Sequence, residues 1–130
     1  RSMKQHAVAP NGEPIYLFHI ANEIRQDPAI KETMACIVNG DTKHNYVALH
    51  LIKNPDCKET DLQILTRIDN RMNEWLPKGF HISGYKFHKE KFRSILVGKL
   101  DHKYYEEQLE GYKLPVDGKL KEVSFTHLAK

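Results

Sequence analysis

The stretch His44-Asn45-Tyr46-Val47-Ala48-Leu49-His50-Leu51-Ile52 reads as the best β-strand in the chain. Its aromatic and branched residues suit a pleated surface, and strict alternation divides it into two faces. Val47, Leu49 and Leu51 make one face that is wholly apolar and belongs on the core. Tyr46, Ala48, His50 and Ile52 make a mixed face, on which a site can open.

Downstream, Asn54-Pro55-Asp56 breaks this strand and Thr60 starts the clearest helix of the chain. Thr60 and Gln63 have the spacing of a capping box, in which each side chain satisfies a free backbone N–H. Leu62, Leu65, Ile68, Met72, Trp75 and Leu76 form an apolar stripe at helical spacing, which places Trp75 in the core. Pro77-Lys78-Gly79 stops the helix. Phe80–Phe87 and Phe92–Leu100 read as the arms of a hairpin with a polar tip, His88-Lys89-Glu90-Lys91. Asp101 caps a short helix that carries Tyr104, Tyr105 and Leu109 and ends near Gly111. Leu114-Pro115-Val116-Asp117-Gly118 is a turn, and Glu122–Ala129 a last strand with Val123, Phe125, His127 and Ala129 on one face.

Upstream, residues 3–13 read as an arm or loop with a turn at Pro10-Asn11-Gly12, and Arg1-Ser2 ahead of Met3 as the remnant of a tag. After Pro14, Ile15–Ile20 suits a buried strand, although a run of this length also permits a helix. Ala21–Val38 reads as a helix, with Asp27-Pro28 as cap and first-turn pair, Ile30, Met34, Ile37 and Val38 on one face, and Asn39-Gly40 as the stop. A competing reading makes Met34–Val38 a strand paired with Tyr46–Ile52 through a loop at 39–43. The resulting order of strands and helices implies an α+β single-domain sandwich, with helices packed on a mixed or antiparallel sheet over residues 14–130.

Composition narrows the function classes. Hydrophobic residues at 40% and charged residues at 28% describe a folded chain rather than a disordered one. No apolar run is long enough for a transmembrane helix, so no membrane partner is expected. Cys36 and Cys57 make no disulfide framework, which favours a reducing, cytoplasmic or otherwise intracellular setting, and Cys36 reads as core. A net charge of +3 is too small for a dedicated DNA-binding domain but suits a phosphate-bearing ligand.

His50 and His127 sit on strands, each after an apolar approach, and two imidazoles facing one cleft can divide acid and base work near neutral pH without a metal. Lys86, Lys89, Lys91 and Arg93 form a basic cluster about the hairpin tip, read either as a solvated loop or as a phosphate-contacting patch. Tyr46, Ser124 and Thr126 are the hydroxyls available beside the histidine strands. His81-Ile82-Ser83 reads as a strand facing solvent. His19, His44, His50, His81 and His127 lack any short ligand spacing, so neither a metal nor another cofactor is expected.

The layout resembles that of the two-histidine (2H, LigT-like) phosphoesterases. The similarity rests on the strand ending in Leu49-His50-Leu51, the helix after it, the hairpin with Phe80, Ile82, Phe87, Arg93 and Gly98, and the closing His127-Leu128. Members of that family carry a Thr or Ser two residues after each histidine, where this chain has Ile52 and Ala129. The resemblance implies a divergent phosphodiesterase that acts on or binds RNA or nucleotide phosphoesters, with His50 and His127 as its acid–base pair. Two other readings compete with it, a non-catalytic RNA- or nucleotide-binding module and a protein–protein adaptor.

Overall fold

The computed structural model describes residues 6–38, 46–96 and 99–126. In chain order, His6–Val8 (β1) and Pro14–Tyr16 (β2) form a small antiparallel pair, and Leu17–Arg25 is a helix (α1). Two long strands follow, Ile30–Val38 (β3) and Tyr46–Lys53 (β4), then helix Asp61–Trp75 (α2) and strand Gly84–His88 (β5). Ser94–Leu96 (β6) and Lys99–Leu100 (β7) pair with each other, His102–Glu106 is a short helix (α3), and Tyr112–Val116 (β8) and Lys119–Val123 (β9) close as a hairpin. The main sheet has the order β3-β4-β5-β8-β9, with β4 and β5 parallel and the other neighbours antiparallel. The fold is therefore α+β, with a mixed sheet.

The alternation of β4 sets the two layers. Val47, Leu49 and Leu51 are fully buried and share one core with Leu17, Ile20 and Ile24 of α1 and Ile64, Leu65, Ile68 and Met72 of α2. The opposite face is closed as well. Ile52 packs with Met34, Cys36, Phe92 and Tyr105, and Ala48 with Val38, Tyr112 and Phe125. The expectation of an open face beside His50 is thereby corrected, because α3 and the segments flanking it fold over that side.

Three upstream elements differ from the sequence reading. The arm is part of the body: β1 pairs with β2, and Ala7 and Ala9 are buried. The apolar run after Pro14 continues as a helix, because Leu17, Ile20, Ala21 and Ile24 fall on one buried face at helical spacing. Ile30–Val38 is a strand, paired with β4 from Ile30 opposite Lys53 to Val38 opposite Tyr46, which is the competing reading in extended form. Asp27 does not cap a helix. Its carboxylate accepts from the Ala29 N–H and takes two bonds from the Arg67 guanidinium, which also grips Glu59.

Helix α2 forms as its sequence dictates. The Gln63 N–H donates to Thr60 Oγ1 at 3.2 Å and the Thr60 N–H to Gln63 Oε1 at 2.9 Å. Trp75, expected inside, is 42% exposed, because Leu76 just beyond the helix end takes the inward place. Phe92–Leu100 is not the second arm of a hairpin with β5, which pairs instead with β4 and β8. Leu114–Val116 is strand rather than turn. The reversal is confined to Asp117 and Gly118, both at positive φ, as a two-residue hairpin loop with native twist requires.

Gly84 marks the closest approach between β5 and β8. A Cβ added there would lie 2.9 Å from Tyr112 Cβ and 3.5 Å from Phe125 Cζ. Since Tyr112 Cβ is fixed to its own backbone, relief requires the two strands to part. Gly84→Ala is expected to destabilise the chain by about 1–3 kcal/mol in urea denaturation, the usual cost of overpacking. An unchanged midpoint would show that the strands separate freely.

Candidate functional site

Parallel pairing of β4 with β5 places Lys86 opposite His50 and His88 opposite Ile52. His50 is fully buried in the sheet, and a chain of hydrogen bonds runs through it. The Tyr112 hydroxyl donates to the Gln108 carbonyl at 2.9 Å, a partner that can only accept. The hydroxyl oxygen therefore accepts from His50 Nε2–H across 3.1 Å. With its proton on Nε2, His50 accepts at Nδ1 from His88 Nε2–H across 2.7 Å. This assignment, made from the hydrogen-bond pattern, gives the chain one polarity, from His88 through His50 and Tyr112 to Gln108, with both imidazoles neutral.

The electrostatics agree with that polarity. Burial, followed by the neighbouring His88 and Lys86, lowers the pKa of His50 to about 3. Burial and then Lys86 also lower that of His88. Burial pushes the Tyr112 hydroxyl up, so it stays a donor. Lys86 is itself lowered by burial and is held by Gln108 Oε1 at 3.1 Å and the Glu110 carbonyl at 3.2 Å. The rings of Tyr105 and Tyr112 close around His50 at centroid distances of 5.0 and 5.4 Å.

Two clefts flank the carboxyl end of β5. One, of about 560 Å³, lies toward α2 and is lined by Lys53, Asn54, Cys57, Asp61, Phe87 and Lys113, among others. The other, of about 350 Å³, lies toward α3 and is lined by Lys86, His88, Lys89, Lys91, Arg93 and Tyr104 with their neighbours. The four basic residues singled out in the sequence all line the cleft toward α3, and Lys86 and Lys89 line the other cleft as well. The remaining candidates among the described residues do not join them. His50 lies sealed beneath, Tyr46 is half-buried with its ring 6.1 Å from that of Phe125, and Thr126 is exposed with its hydroxyl 3.1 Å from that of Ser124. His127 and His44 lie outside the described residues. His81 is exposed and bonds Asn73 Oδ1 at 2.9 Å, and His19 stacks near Phe18. Among the described residues no three of His, Cys, Asp or Glu gather as a metal site, and no helix is long and apolar enough to cross a membrane.

Sequence reasoning missed His88, Tyr112 and Gln108. The alternation Tyr85, Phe87 against Lys86, His88 was a usable signal for His88, but the adjacent charges made it look like a loop tip. Tyr112 carried no such signal, since its role depends on which strand pairs with β5.

No family model matches the chain, nor does any curated protein. Solved structures do match its fold. The crystal structure of an acyl-CoA synthetase from Brucella canis aligns with 81% of this chain at a TM-score of 0.62 and 16% identity. That of MatB from Rhodopseudomonas palustris, without ligand, aligns with 79% at 0.61 and 16% identity. A double mutant of o-succinylbenzoate CoA synthetase from Bacillus subtilis, bound to a product analogue, aligns with 92% at 0.60 and 12% identity. The chain is similar in fold to part of an acyl-CoA synthetase. It spans 19%, 19% and 21% of those three proteins. Further structures with this fold were solved with anthranoyl-AMP, phenylalanyl-adenylate or ATP.

These matches overturn the phosphodiesterase reading. The fold of the chain is shared with CoA ligases and adenylate-bound enzymes, and His50, the proposed acid–base residue, is sealed in the sheet with both ring nitrogens engaged.

Proposed function

We propose that the chain is a nucleotide-binding module of an ATP-dependent acyl-activating ligase. The observation that carries this reading is the alignment of four fifths of the chain with a fifth of an acyl-CoA synthetase. The reading is supported by adenylates, ATP and a CoA-type product analogue bound in proteins that share this fold over about a fifth of their length. The excess of basic over acidic residues and the lysines at the end of β5 suit such a ligand. In this reading turnover belongs to the larger ligase, because the chain has the span of only its smaller part. The acyl substrate would be chosen elsewhere, so the module's own task is to hold the nucleotide.

Calorimetric titration of the purified chain with ATP, AMP and CoA tests this. Saturable binding of at least one of them, weakened by salt, is the expected result. If a folded chain binds none of the three, the proposal fails.

A further inference from the structure

The reading above leaves open where on the chain a phosphate group would rest. We infer that the cleft between the end of β5 and α3 is a binding site for a dianionic phosphate group, of the phosphomonoester or diphosphate class. This deepens the proposed nucleotide reading and rests on it for the identity of the ligand, though not for the site itself.

Arg93 is paired with Asp101, Nε to Oδ2 at 3.4 Å, and so contributes little net charge. Lys86 is fixed by two neutral acceptors, Gln108 Oε1 and the Glu110 carbonyl, which position its ammonium without neutralising it. Lys89 and Lys91 are exposed and have no ion pair among the described residues. Against these three ammonium groups the cleft sets one carboxylate, Glu90, which leaves a local excess of two positive charges. A phosphomonoester or diphosphate matches that excess, whereas a carboxylate does not.

The cleft lies at the carboxyl end of β5, whose last residue, His88, pairs in parallel with Ile52 near the end of β4. Ligands in open sheets gather outside the carboxyl ends of parallel strands, where the loops part. Its volume of about 350 Å³ is at the small end of ligand pockets. It therefore fits a phosphate or diphosphate with its nearest substituent and leaves the rest of a larger ligand outside. The Arg93 N–H donates to the Tyr105 hydroxyl at 2.7 Å, and the Arg93 guanidinium lies 4.6 Å from the centre of the Tyr104 ring, so the wall opposite β5 is held in place.

The test uses the whole chain and three probes, inorganic pyrophosphate, AMP and CoA. Pyrophosphate is expected to bind, and the double variant Lys89→Glu/Lys91→Glu to lose that binding by about tenfold or more, with its melting curve unchanged because both side chains are exposed. Lys113→Glu, on the cleft toward α2, is expected to bind as the parent does. Equal binding by the double variant, or an equal loss in Lys113→Glu, overturns the site. Pyrophosphate binding that depends on Lys89 and Lys91, without any binding of AMP or CoA, upholds the site and removes the nucleotide reading. AMP or CoA binding that ignores the double variant upholds that reading and removes the site.

Discussion

Acidification from about pH 7 to pH 5 is expected to remove about 2 kcal/mol of folding free energy through His50 alone. In the unfolded chain this ring takes a proton near its ordinary pKa of about 6.5. In the folded chain it does so only at about 3, because it is buried and lies beside His88 and Lys86. Between those values the unfolded state binds the extra proton, so stability is complete above the unfolded pKa and is lost as pH falls toward the folded one. His88, also lowered by burial and by Lys86, contributes in the same direction. A charged His50 donates from both nitrogens, so His88 would have to shift its own proton to Nδ1 for its Nε2 to accept. Urea denaturation across this pH range measures the slope. His50→Gln, whose amide does not titrate, is expected to be less stable at pH 7 but to have a flatter pH profile. A variant with the parent's slope would show that other groups cause the acid loss.

Arg67→Met is expected to cost about 2–3 kcal/mol, because it leaves the Asp27 carboxylate covered and unpartnered. Asp27 is 5% exposed, and Arg67 meets it with Nε at 2.8 Å and Nη2 at 2.9 Å, while holding Glu59 at the same time. Burial alone raises the Asp27 pKa, but the hydrogen bonds from Arg67 and the Ala29 N–H outweigh it and hold the carboxyl below its ordinary value. The lower end of the range reflects Arg67 itself, 42% exposed and in contact with water. The double variant Asp27→Asn/Arg67→Met should be more stable than Arg67→Met alone, since the stranded charge is then gone. Additive losses in a double-mutant cycle would show that the two side chains act independently.

The parts of the fold legible in the sequence were those whose signal is local. Thr60 and Gln63 cap α2 through groups three residues apart, and Asp101 caps α3 by accepting from the Tyr104 N–H at 3.2 Å. The inward face of β4 was equally plain, because alternation needs no knowledge of neighbours. Ile30–Val38 was harder, since Ile30, Met34 and Ile37 also suit a helix. What decides for a strand is the register with β4, a contact made across the intervening loop. Leu17–Arg25 carried its helical spacing openly, but the aromatic and branched residues before it suggested a strand.

The site divides in the same way. Lys86, Lys89, Lys91 and Arg93 were found because they cluster along the chain, and the fold keeps them together. The His50 partners were hidden because His88 and Tyr112 reach it from two separate strands, and Gln108, which orients the Tyr112 hydroxyl, from a loop. A histidine on a half-apolar strand suggests a catalytic base when its partners are unknown. With His88 and Tyr112 in place, it is a buried neutral connector.

Among the described residues, β9 has a strand neighbour only on the β8 side. Its outer backbone groups would template another strand, were it not for what it displays. Lys119, Lys121 and Glu122 are exposed along its five residues, and the chain leaves the sheet at Ser124 to send the Phe125 N–H to the Leu109 carbonyl. A second molecule adding its own strand there would have to strip water from these charges along a very short edge. Strand addition at the β9 margin is thereby disfavoured by its charges and its short length, at the end of the sheet remote from β3.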